Sequence, residues 1–214
     1  MRFVLDELLQ KISELLILMA SSCEQNLNNA FEAFRTHDKE KALAIYKNDY
    51  DLSSKAREIE SLCIKTILRQ QPVAKDMLII SATLKLVRDV ERIGTQAISI
   101  AELISSFNFS YRGDEILLIE KMSEEAIEMV KNSVDSFITK NEDQARAVIK
   151  HDSVVDKYFN LIKLALIREI RKSEDTDGSL PLDVLMIAKY LERIGDHSCN
   201  VAKCTLYMIS GELS

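Results

Sequence analysis

The chain has 214 residues, 47% of them hydrophobic, and a formal net charge of −6. Its length and apolar content suffice for a sizeable core in one large or two small domains, while the negative charge and the lack of any basic run exclude a nucleic-acid binder whose affinity rests on phosphate contacts. Two prolines, five glycines, no Trp and long stretches of Leu, Ile, Ala, Glu and Lys point to an all-helical protein.

The first helix is expected from about Arg2 to Phe34, where Leu5, Leu8, Leu9, Ile12, Leu15, Leu16, Met19, Cys23, Leu27, Ala30 and Phe34 keep a spacing of three and four. Such a wide stripe packs against partners along its whole length. Asp6, Glu7, Lys11 and Glu14 interrupt the apolar runs, and the longest, Leu15 to Ala20, is far below the ~18 residues that span a bilayer. Neither a signal peptide nor an anchor is expected there, so membrane contact comes only through partners.

Thr36-His37-Asp38 offers capping side chains, and a second helix follows from about Lys39 to Arg69. Its stripe of Ala42, Ile45, Asp49, Ser53, Ala56, Ile59, Leu62 and Cys63 contains one acid, Asp49. Gln70-Gln71-Pro72 ends it, because Pro disfavours helix in the residue before it. The third helix, about Val73 to Phe107, reads Leu84, Val87, Glu91, Thr95, Ile98, again with an acid, Glu91, in an apolar row. The polar run Asn108 to Asp114 is the expected junction between domains spanning residues 1–110 and 111–214.

The second half repeats the plan. A fourth helix is expected over about Glu115 to Thr139. A fifth, about Glu142 to Lys172, has Asn141 and Gln144 as a capping box. Its stripe Ala145, Val148, Asp152, Asp156, Phe159 and Ile162 copies that of the second helix, with Asp152 lying 103 positions after Asp49. Ser173 to Pro181 reads as a loop, and a sixth helix covers about Leu182 to Ile209. Glu-Arg-Ile-Gly occurs at Glu91 and again, 101 positions on, at Glu192; an internal duplication sets the architectural unit. Six long helices in two such units predict two tandem, pseudo-symmetric, antiparallel three-helix bundles.

Two of the five glycines, Gly94 and Gly195, occupy helix interiors at equivalent places in the repeat. There a Gly costs about 1 kcal/mol relative to Ala, which the close approach of a backbone or ligand would explain. The acids form the candidate site. Asp152 and Asp156, and Glu192 and Asp196, are i,i+4 pairs on adjacent antiparallel helices, and like charges so spaced repel. A hard cation on an all-oxygen groove, magnesium, calcium, manganese or oxygen-ligated iron, would relieve that repulsion. The first half keeps only Asp49 and Glu91, with Ser53 and Thr95 in place of the other two acids, so weak or absent metal binding is expected there. Solvated edge positions and the i,i+3 pairs Lys189/Glu192 and Arg88/Glu91 are the ordinary alternative for each acid taken singly.

His151 and His197 point away from the acids beside them in sequence, and Cys23, Cys63, Cys199 and Cys204 read as reduced packing thiols. A carboxylate-bridged dimetal oxidase needs Glu-x-x-His pairs, and the chain has none.

The tandem three-helix plan, Gln-Gln-Pro-Val-Ala at Gln70 to Ala74, Asp152-x-x-x-Asp156 and above all Leu-Glu-Arg-Ile-Gly-Asp-His at Leu191 to His197 resemble the PhoU family, regulators of bacterial phosphate-specific transport. The resemblance implies a non-catalytic cytoplasmic adaptor, commonly a homodimer, that links a phosphate ABC transporter to a sensor histidine kinase and damps the starvation response. It implies divalent or trivalent metal ions, iron, manganese, magnesium or zinc, on Glu192 and Asp196, with Asp152 and Asp156 supporting and Glu91 and Asp49 matching in the first repeat. Thr95 departs from the motif's acid. An accessory helical subunit of another ion transporter is the alternative.

Overall fold

The computed structural model describes residues 2–47, 50–73, 75–109, 115–172 and 179–212, and among them every regular element is a helix. These are α1 (Arg2–Thr36), α2 (Lys39–Lys47), α3 (Tyr50–Gln70), α4 (Lys75–Ser106), α5 (Glu115–Thr139), α6 (Glu142–Lys172) and α7 (Ser179–Ser210). The expected second helix corresponds to α2 and α3 together, with residues 48–49 between them outside the described set. Asp49, Ala74, the junction residues 110–114 and the loop residues 173–178 likewise lie outside it.

The two halves turn their first corner the same way. His37 and Lys140, 103 positions apart, adopt positive φ of 60° and 53°. In each case the next residue's amide closes the helix end, Asp38 N to Ala33 O at 2.9 Å and Asn141 N to Ser136 O at 2.9 Å, the hydrogen bonding of a left-handed helix cap. The residue that closes one helix then opens the next. Asp38 Oδ1 accepts from Lys41 N at 2.9 Å and Asn141 Oδ1 from Gln144 N at 3.1 Å. Only half of the expected capping box forms, because the Gln144 side chain turns to Asn132 Oδ1 at 3.3 Å.

In the first half α1 and α4 each pack on α2, on α3 and on one another, and in the second half α5, α6 and α7 pack on one another. The halves are then joined along two seams, α4 on α7 and α1 on α5. Packed on both sides, α4 buries far more than the one stripe its spacing suggested: Ile80, Leu86, Val87, Val90, Ile93, Ala97, Ile100, Ala101 and Ile104 are all 5% exposed or less. The α4–α7 register is antiparallel. Ser81 meets Tyr207 (3.5 Å between hydroxyls), Lys85 lies over the Tyr207 ring (4.3 Å), and Asp89 Oδ1 takes His197 Nδ1 at 2.9 Å and Asn200 Nδ2 at 3.1 Å. Among the described residues no helix is long and apolar enough to cross a membrane.

Candidate metal centre

The second-half acids are brought together by α6 and α7, which pack along one another. Asp152 and Glu192 are half-buried, and Asp156 and Asp196 are exposed at the mouth. Their fields overlap. The Asp152 carboxyl is held above its ordinary range by burial first, then by the charges of Asp156 and Asp196 and, more weakly, Glu192. Asp196 is likewise pushed up by burial, then by Glu192 and Asp156, against the opposing pull of Lys189 and His197. Negative charge is thus crowded here beyond what the neighbouring cations offset.

Gly195 explains how Asp152 comes so close to α7. A Cβ built at this position would sit 3.0 Å from Asp152 Oδ1, so the missing side chain leaves the room that Asp152 fills. The equivalent Gly94 makes room for an aliphatic side chain instead: its Cβ would lie 2.4 Å from Leu52 Cδ1 and 3.3 Å from Cys23 Sγ. The expectation of a close backbone or ligand therefore needs correcting, since side chains make both approaches. One copy of the glycine serves packing and the other serves an acid.

In their present rotamers the acids do not converge on a point, and no group of three His, Cys, Asp or Glu among the described residues is placed to hold an ion. Lys189 Nζ stands 2.5 Å from Glu192 Oε2 and 5.4 Å over the Phe159 ring, so an ammonium partly supplies the charge that a metal would bring. The donor set itself, four carboxylates with no ring nitrogen, fits a hard cation. Asp152, Asp156, Glu192 and Asp196 would hold such an ion by rotating toward the groove, with Glu192 released from Lys189. Cys199 also stands at this site, which its reading as a packing thiol missed: it is 6% exposed, hydrogen-bonds Asp152, and is pushed up to about 12 by burial and then by that carboxylate's charge.

The first half is wired differently. Glu91 Oε1 accepts from Ser53 Oγ at 2.8 Å, its Oε2 lies 3.5 Å from Arg88 Nη1, and Arg88 in turn pairs with Glu60 at 2.6 Å. Thr95 spends its hydroxyl on the Glu91 main-chain oxygen at 3.0 Å. Glu91 is therefore satisfied by protein groups alone. Its expected companion Asp49 lies outside the described residues. Both histidines beside the acids are engaged elsewhere, His151 with Glu125 Oε2 at 2.6 Å and His197 with Asp89.

Beside the acids a groove of about 560 Å³ opens between α4, α6 and α7. Asp152, Asp196, Arg92, Gln96, Arg193 and Lys203 line it together, with Arg193, Asp196 and Lys203 following one another along α7. Neither Asp89, which bridges the halves, nor the basic residues of this groove were picked out by motif spacing. The available signal was the repeat itself, since Arg92 and Arg193 are equivalent positions in it.

The family model for the PhoU domain matches twice, over residues 16–104 and 119–205. A "Phosphate-specific transport system accessory protein PhoU homolog" of Clostridium acetobutylicum is 33% identical over 99% of this chain and 96% of its own length. The "Phosphate-specific transport system accessory protein PhoU" of Escherichia coli is 26% identical over 95% and 84%. The crystal structure of PhoU from Pseudomonas aeruginosa superposes with a TM-score of 0.90 at 25% identity, covering 97% of this chain and 99% of that one. That of the phosphate transport system regulatory protein PhoU from Streptococcus pneumoniae, at 20% identity, reaches the same TM-score over 98% and 99% and shares the fold.

Proposed function

Because this chain belongs to the PhoU family, we propose that it is a non-catalytic regulator of phosphate-specific transport. In this reading it is a cytoplasmic adaptor, working as a homodimer, that contacts the subunits of a phosphate ABC transporter and a sensor histidine kinase and holds the starvation response down when phosphate is plentiful. The observation that carries the proposal is the end-to-end match to accessory proteins of phosphate-specific transport, 33% identity over 99% of the chain in one case. The test is deletion of the gene in its host. Starvation genes are expected to switch on in high phosphate and to be silenced again by the plasmid-borne wild type; a deletion strain that keeps them repressed would sink the reading.

The same proposal gives Asp152, Asp156, Glu192 and Asp196 the role of metal ligands. Supporting it are the overlapping fields of the four acids and the room at Gly195. The metal's part is to neutralise and brace the α6–α7 groove, while the residues of the chain orient it. Elemental analysis of the purified protein is expected to find metal in the wild type and in Glu91→Ala, and none in the Glu192→Ala/Asp196→Ala double variant. A wild type that neither carries nor takes up metal would leave the acids as a solvated face.

A further inference from the structure

The groove between α4, α6 and α7 carries three basic side chains beside its two acids. Arg92 and Arg193 are the same residue of the two Glu-Arg-Ile-Gly strings. The antiparallel register of α4 on α7 brings both to one concave surface, where Lys203 joins them. All three cations are exposed, and none makes an ion pair or a hydrogen bond among the described residues. One free arginine on a surface is ordinary. Three unpaired cations in one groove outnumber the two carboxylates, Asp152 and Asp196, that share it, and present N–H donors suited to an anion.

Gln96 is the second, independent observation. It lines the same groove and is only 8% exposed, yet its Oε1 is buried without a partner and its amide nitrogen donates to no group among the described residues. Buried polar groups are almost always hydrogen-bonded, so a groove-lining amide with neither end paired among the described residues points to a partner from outside the chain.

We propose that this groove binds a phosphate-bearing anion. The planar forks of Arg92 and Arg193 suit phosphate oxygens in pairs, and Lys203 adds a point charge. Gln96 adds the N–H of its amide as a neutral donor. Asp152 and Asp196, in the same groove, accept from hydroxyl or amino groups of the ligand. A volume of about 560 Å³ holds either inorganic phosphate with its water or a nucleotide. The site goes beyond the adaptor reading, and it places a small anion across the seam between the two halves.

Isothermal titration calorimetry on the full-length, EDTA-treated protein tests it, with sodium phosphate and magnesium-free ATP as probes. At least one probe is expected to bind, about tenfold or more weakly in Arg92→Ala/Arg193→Ala and in Lys203→Glu. Arg146→Ala, which removes an exposed arginine paired with Glu142 on α6, is expected to bind as the wild type does. Phosphate that binds and displaces ATP assigns free phosphate as the source, and ATP binding without phosphate binding assigns a nucleotide; either supports the site. No binding of either probe to the wild type overturns it, as does unchanged affinity in the arginine double variant with its helical circular dichroism intact. The outcome is independent of the deletion phenotype, so the site and the adaptor reading can fail separately.

Discussion

Glu24 is a carboxylate placed where the fold works against its charge. It is half-buried on α1, and its carboxyl is held above the ordinary range by burial first, then by the charge of Asp135, with Lys131 pulling the other way. A raised carboxyl costs stability while it is ionised, so the cost is present in full at neutral pH and disappears as the pH falls through the raised value. Glu24→Gln is therefore expected to melt higher than the metal-free wild type at pH 7, with the difference closing as the pH approaches 4; thermal melts across that range check both parts. The thiols follow the same physics with a simpler outcome. Burial pushes Cys23 and Cys63 up to about 12 and Cys204 up to about 11, so they stay protonated and poorly nucleophilic at neutral pH.

At the scale of the helix, the repeated left-handed caps differ in what holds them. A non-glycine residue in this region costs about 1–2 kcal/mol. His37 recovers part of that by stacking on Phe109, ring centroids 4.5 Å apart at 23°, whereas Lys140 is exposed and has no ring contact among the described residues. Lys140→Gly is expected to stabilise the protein by about 1 kcal/mol, raising Tm by roughly 2–4 °C for a chain of this size, while His37→Gly gains little or loses; paired melting curves compare them.

Helix ends of this kind were largely readable from the residues. α5 and α6 run as their spacing and Asn141 predicted. α7 begins three residues before the expected start, because Pro181 reads as a loop residue but sits in the first turn, where its missing N–H costs nothing. The acids of α6 and α7 were legible as i,i+4 pairs in a repeat, since that information is local. The two-sided burial of α4, the Asp89 bridge and the convergence of Arg92 with Arg193 were not, because each depends on the register between halves, which no single helix encodes.

For the molecule as a whole, the two seams join the halves along α4–α7 and α1–α5, so the halves are expected to unfold as one unit. Asp89 carries much of the polar contact across α4–α7, accepting from both His197 and Asn200. Asp89→Ala leaves those two groups without their acceptor and is expected to cost about 1–3 kcal/mol. Urea unfolding followed by circular dichroism is expected to show a single transition in both proteins, at lower midpoint in the variant. Two resolved transitions in the wild type would show that the halves fold independently.

The antiparallel seam also bears on how the two halves came to differ. Equivalent helices that meet antiparallel, with Arg92 near Arg193, make the kind of contact by which two identical one-repeat chains would close as a two-fold pair. In such a pair every substitution enters twice, and a change that helps one side is forced on the other. Joined in one chain, each substitution enters once. Ser53 and Thr95 stand where the second repeat has Asp156 and Asp196, so one repeat carries internal hydrogen bonds where its twin carries acids, a division of labour that a symmetric pair of chains has no means to reach.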